Sequence, residues 1–187
     1  MSLARLGFMP VLGLLSLLSV GCGDDPPPPP RGAFRMNFAD PGGDCSTAGH
    51  LAELGSVTGT HKDQVLADGE EDVTVSCTVS GSGSFSVSAR ATNAKTAASI
   101  TVSIGSIAPD ATQDAPATGS VNFSSVQTAG DTFVASPEPC NFWFIPESGQ
   151  GVDAGKIWVA FECPAVRNEG QVCQIRNGFL AFDNCDT

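Results

Sequence analysis

Basic residues and histidine are scarce in this chain of 187 residues: nine Lys and Arg and two His stand against twenty Asp and Glu. No two Lys or Arg are adjacent, and the closest pair is Arg31 and Arg35. A chain this acidic, with no basic patch, is a poor fit to nucleic acid or to an anionic lipid surface. The motifs of common chemistries are missing too. There is no C-x-x-C pair to start a zinc site and no G-x-S-x-G turn to present a nucleophilic serine. There is no H-E-x-x-H, and His50 and His61, eleven residues apart, make a weak metal pair. Either could serve as a base, but no serine is marked as its partner. No catalytic residue, cofactor or metal is therefore assigned, and the expectation is a protein that is not an enzyme. Helical periodicity is also missing. Ala48 to Leu54 is expected to form at most a turn of helix, stopped by Gly55.

What is present begins with an address. Arg5 supplies an early positive charge, and Leu6 to Val20 is an apolar run. Ser19-Val20-Gly21 then leads into Cys22 with small residues. These are the three parts of an export signal. The run is shorter than the ~20 apolar residues that span a bilayer, and no later stretch approaches that length, so no transmembrane helix is expected. Leu18-Ser19-Val20-Gly21-Cys22 resembles a bacterial lipobox, with Ser19 where a leucine is usual. The resemblance implies a diacylglyceryl group on the Cys22 thiol and cleavage before it. The expected address is the bacterial cell envelope, lipid-anchored at the outer membrane, on its periplasmic face or at the cell surface. Residues 1–21 read as signal peptide and 22–33 as a tether. Within the tether, Pro26 to Pro30 favours polyproline II at about 3.1 Å per residue and is expected to act as a short stiff spacer. Removing Arg5 leaves eight basic against twenty acidic residues, a net charge near −12 over about 165 residues. That length suits one domain with a proper core.

Seven cysteines are the sharpest compositional fact. With Cys22 assigned to lipid, Cys45, Cys77, Cys140, Cys163, Cys173 and Cys185 remain. An even set in an exported chain reads as disulfides, with 15 possible pairings. Cys163 and Cys173 flank a nine-residue loop, so a bridge across it is geometrically natural. The expected set is Cys163–Cys173, Cys45–Cys77 and Cys140–Cys185.

Period-two alternation runs through 34–38, 73–80, 84–92, 99–104 and 121–123, pointing to half-buried strands. Gly81-Ser82-Gly83 and Thr92-Asn93-Ala94-Lys95 supply tight turns, so 72–107 reads as a three-stranded antiparallel meander. The wet faces carry Ser and Thr, which leaves edges without the charges that discourage pairing. Residues 108–120 read as a long loop crossing between sheets. In the last third, Asn141 to Ile145 and Lys156 to Phe161 are nearly continuous apolar runs, with a weaker strand over Gln174 to Phe182. Such runs have a second face covered by another element.

Trp143 is out of phase with Phe142 and Phe144, and Trp158 with Ile157, Val159 and Phe161. If the phenylalanines face the core, both indoles face the other side. There they either form a platform for stacking on sugar rings or lie in a second layer of core, as the high average burial of Trp suggests. Gly149-Gln150-Gly151-Val152-Asp153-Ala154 matches the loose dinucleotide pattern but lacks the helix that pattern needs, and reads as a hairpin loop. Glu70-Glu71-Asp72, Asp110 and Asp114 have no calcium-loop spacing and read as solvated charge.

The lipobox with its spacer, Leu66-Ala67-Asp68-Gly69-Glu70 before Val75-Ser76-Cys77, the run Gly155 to Pro164 and the ending Phe182-Asp183-Asn184-Cys185 together resemble a group of uncharacterised lipoproteins from myxobacteria and related Gram-negative bacteria. The likeness covers most of the mature chain. It implies the envelope address and the disulfides, and carries no activity. The expected fold is all-β: one antiparallel, two-sheet, jelly-roll-like β-sandwich over residues 34–187, stapled by disulfides. The expected role is that of an envelope lipoprotein, structural or binding and non-catalytic, with the membrane as partner through lipid on Cys22. The alternatives are a carbohydrate-binding module that meets envelope polysaccharide through Trp143 and Trp158, and a hydrolase whose His50 or His61 meets a serine or carboxylate in a pocket.

Overall fold

The structure, a computed structural model, describes residues 26–187; Cys22 and the signal segment lie outside them. The strands are β1 (Arg31–Ala39), β2 (His50–Leu54), β3 (Ser56–Val57), β4 (Lys62–Gln64), β5 (Leu66–Ala67), β6 (Val73–Gly81), β7 (Phe85–Asn93), β8 (Ala98–Ile107), β9 (Ala117–Ser124), β10 (Phe133–Val134), β11 (Cys140–Trp143), β12 (Gly151–Asp153), β13 (Lys156–Asn168) and β14 (Gln171–Asp183). One 3₁₀ turn, Glu70–Asp72, precedes β6.

All strand pairs in the ladders are antiparallel, and the fold is all-β. β6, β7 and β8 are consecutive neighbours, as the alternation of 73–107 predicts, and β9 adds on beside β8. Val73, Val75, Cys77 and Val79 point inward while Thr74, Ser76 and Thr78 face water. β13, β14, β1 and β2 form the other layer. β10 and β11 each pair with both β9 and β13, so the layers of this sandwich-like fold are hydrogen-bonded into one curled sheet of twelve strands. A single core lies between them, with Phe34, Phe38, Phe123, Phe133, Phe142, Phe161 and Phe182 essentially inaccessible.

The outer edge of β6 meets the residues that follow β14 and the β12–β13 turn at a seam. Val79 N donates to Asp186 O at 2.8 Å, Asp186 N to Cys77 O at 2.9 Å and Gly155 N to Val79 O at 2.9 Å. The Cys77–Cys185 disulfide lies in the same seam. The uncharged edge of β6 is therefore covered by backbone pairing instead of being defended by charge.

Several expectations are corrected. All six cysteines are bridged, but as Cys45–Cys173, Cys77–Cys185 and Cys140–Cys163. None of the expected pairs forms. Cys163 and Cys173 lie on neighbouring strands but out of register: Cys163 opposes Ile175, while Cys173 opposes Val166. Residues 50–54 are the edge strand β2, because pairing with β1 and burial of Ala52 and Leu54 outweigh the weak helical pattern. The segment 108–120 does not cross between sheets. It yields to β9 at Ala117, and β8 and β9 are direct neighbours.

β1 begins at Arg31, inside the expected tether. Asp68 N donates to Pro30 O at 2.9 Å, and Asn184 Nδ2 to Pro29 O at 3.1 Å. Pro27–Pro30 also line a groove with Val75 and Cys185. Over these four residues the proline run lies along the domain instead of standing off from it.

Candidate functional site

The face of β11 and β13 turned away from the core carries the two tryptophans. Trp143 opposes Ala160, and Trp158 lies two residues along β13, so the two indoles share one face as diagonal neighbours. Both are partly buried. For Trp158 the reason is the short β3–β4 hairpin, which lies on this face as a second layer. Its Val57, together with Val65, Ala33 and Ala181, forms a small satellite core against which Trp158 and Phe179 pack. This covering explains why β13 reads as a continuous apolar run: the main core takes one side and the hairpin the other.

Polar ties hold the hairpin down. Trp158 Nε1 donates to Thr58 O at 3.1 Å. Gln150 Nε2 donates to Gly59 O at 3.1 Å while its Oε1 accepts from Ile145 N at 2.9 Å. Arg31 donates to Val65 O through Nε at 2.9 Å and through its terminal nitrogen at 2.6 Å. Lys62 pairs with Asp183 at 2.9 Å. Gly59 has a packing reason to be glycine: a Cβ there would sit 2.9 Å from Ile145 Cδ1 and 3.2 Å from the Phe179 ring.

Beside the hairpin is an open cleft of about 370 Å³. Trp158 and Ile157 contribute apolar surface, Gly149 and Val152 form one wall, and two ion pairs line the rest. These are Lys62–Asp183 and the looser Lys156–Asp153 at 3.8 Å. Two ammonium and two carboxylate groups balance there, in a chain whose net charge is −11. The cleft thus offers donors, acceptors and an indole without a net charge. Trp143 is not among its lining residues, so the structure brings the two tryptophans to one face but only Trp158 to the cleft. The hairpin was invisible to sequence reasoning: β3 has two residues and β4 three, too few to show a period.

The remaining candidates separate. His61 is exposed in the hairpin turn, whereas His50 Nε2 lies 3.2 Å from Ser125 Oγ. The 149–154 glycine pattern leads into β12 and the β12–β13 hairpin, with no helix. Glu70 Oε2 accepts from Ala67 N, and Asp72 pairs with Lys95 at 2.8 Å. That hydrogen-bonded carboxylate holds the Lys95 ammonium above the usual lysine value. Among the described residues, no three His, Cys, Asp or Glu side chains gather as a metal site, and no helix is long and apolar enough to cross a membrane.

No protein-family model, curated protein or solved structure matches this chain.

Proposed function

We propose that the chain is an exported envelope lipoprotein, cleaved before Cys22 and held at the outer membrane by lipid on that cysteine, with a non-catalytic structural or binding role for its β domain. The observation that supports this reading most is the complete pairing of the six downstream cysteines. Disulfides persist in oxidising compartments, and the pairing leaves Cys22 as the odd thiol of the seven. The test is fractionation of cells making the full chain or its Cys22→Ala variant. The wild type is expected in membranes and labelled by palmitate, and the variant released and unlabelled. Equal membrane attachment of both would refute the anchor.

A second reading is carbohydrate binding at the Trp158 cleft. The charge-balanced lining supports it, since a neutral polyhydroxy chain can exchange hydrogen bonds with paired charges and stack on an indole without carrying charge of its own. Tryptophan fluorescence should then change on adding neutral envelope polysaccharide, and Trp158→Ala or Asp153→Asn should reduce that response. An unchanged spectrum across a glycan panel would count against it.

A further inference from the structure

We propose that Ser125 is an acyl-accepting nucleophile, activated by His50, that takes a short-chain acyl group from an ester. This is a site separate from the Trp158 cleft, and it does not depend on the lipid anchor.

The geometry is that of a nucleophile, a base and an orienting group. Ser125 Oγ lies 3.2 Å from His50 Nε2, although the residues are 75 apart in sequence. His50 Nδ1 lies 2.9 Å from Ala48 O. A carbonyl only accepts, so in the neutral ring Nδ1 carries the hydrogen and Nε2 is left as an acceptor. The Ser125 hydroxyl then donates to it, which is the direction general-base activation requires. The ring is held in place by Phe38, with centroids 5.2 Å apart, and by Phe123 at 6.2 Å.

The serine is held with equal care. Its N–H donates to Thr128 Oγ1 at 2.9 Å, and Thr128 Oγ1 in turn lies 2.8 Å from Asp131 O. The other contact to Ser125 Oγ is a long one from Thr128 N, at 3.3 Å, which leaves the oxygen weakly committed. Ser125 is only 2% exposed, and it lines a cleft of about 180 Å³ between β2 and the β7–β8 turn, where it faces Leu51, Ala52, Thr96 and Ala98. His50 is not in that lining and reaches the serine only through its Nε2. Leu51 and Val126, two of the exposed large apolar side chains, neighbour the pair in sequence at 43% and 61% exposure. A small cleft with apolar neighbours suits a short acyl chain and has no fixed charge to hold an ionic one, apart from Glu53 on its wall.

The step is a simple transfer. Ser125 Oγ bonds to the carbonyl carbon of the ester, and the bond from that carbon to the alkoxy oxygen breaks. The hydroxyl proton passes to His50 Nε2 and then to the departing alkoxide. The products are O-acyl-Ser125 and an alcohol.

The test uses the purified, disulfide-bonded mature chain with two probes, an alkyl fluorophosphonate and p-nitrophenyl acetate. The expected result is one adduct per chain, located by peptide mapping on Ser125, with release of one equivalent of p-nitrophenol. His50→Gln should slow labelling by roughly 100-fold, the usual scale of a lost general base, and Ser125→Ala should abolish it. An unlabelled wild type, or an adduct mapped to another residue, would overturn the proposal. Mapping of the wild-type adduct decides the matter even if Ser125→Ala fails to fold.

Discussion

The indole N–H of Trp158 donates to the carbonyl of Thr58 at 3.1 Å, so the tryptophan that lines the cleft is also the peg that holds the β3–β4 hairpin on the sheet. Trp158→Phe keeps most of the apolar packing and removes that bond. The expected cost is about 1 kcal/mol. Amide exchange should quicken over residues 56–64 and stay unchanged over 73–107. Unchanged exchange in the hairpin would show that its other ties suffice.

Connectivity of the disulfides is directly testable. Peptide mapping of the unreduced protein should recover Cys45–Cys173, Cys77–Cys185 and Cys140–Cys163. Loss of a bridge typically costs ~2–4 kcal/mol, more for longer closed loops. Replacing both cysteines of Cys77–Cys185, which are 108 apart, should therefore destabilise more than replacing those of Cys140–Cys163, which are 23 apart. Denaturant midpoints of the two double-alanine variants would show the order.

These pairings also show where sequence reasoning stops. The meander 73–107 was legible because each strand alternates by itself and short turns join neighbours. Cys140–Cys163 was not, because it depends on β11 lying beside β13, a relation between segments that no local pattern encodes. The same holds for His50 and Ser125, brought together by β2 joining β1 and by the 125–131 loop turning back. The shared face of Trp143 and Trp158 was legible from phase alone, whereas the hairpin that covers Trp158 was not. Residues 50–54 follow the same rule: an edge strand is defined by its partner, here Phe34 to Phe38 of β1.

Gly178 sits opposite Phe161 in the β13–β14 register, beneath its ring. A Cβ at this position would lie 2.5–2.7 Å from three Phe161 ring atoms. Both residues are buried, so the ring has little room to yield. Gly178→Ala is expected to destabilise by about 1–3 kcal/mol, the usual range for overpacking, measured by urea denaturation. A neutral result would mean that the ring relocates without cost.

Asp40 should report on pH. The backbone N–H groups of Gly42 and Gly43 donate to its Oδ1 at 3.0 and 2.7 Å and lower its pKa below the ordinary 3.8. A lowered folded-state value means the contribution is present above the ordinary value and is lost as pH falls through the lowered one. In a carbon-detected NMR titration, the Asp40 carboxyl should therefore protonate below pH 3.8. The stability difference between wild type and Asp40→Ala should shrink over that range. A midpoint at or above the ordinary value would contradict the assigned hydrogen bonds.

The central claim concerns Cys22, and the intact mass of the protein extracted by detergent from membranes tests it most directly. The account predicts a chain that begins at Cys22, lacks residues 1–21, carries three disulfides and is heavier by a diacylglyceryl group and any added amide-linked acyl chain. A chain that starts elsewhere, or one that starts at Cys22 with a free thiol, would contradict it.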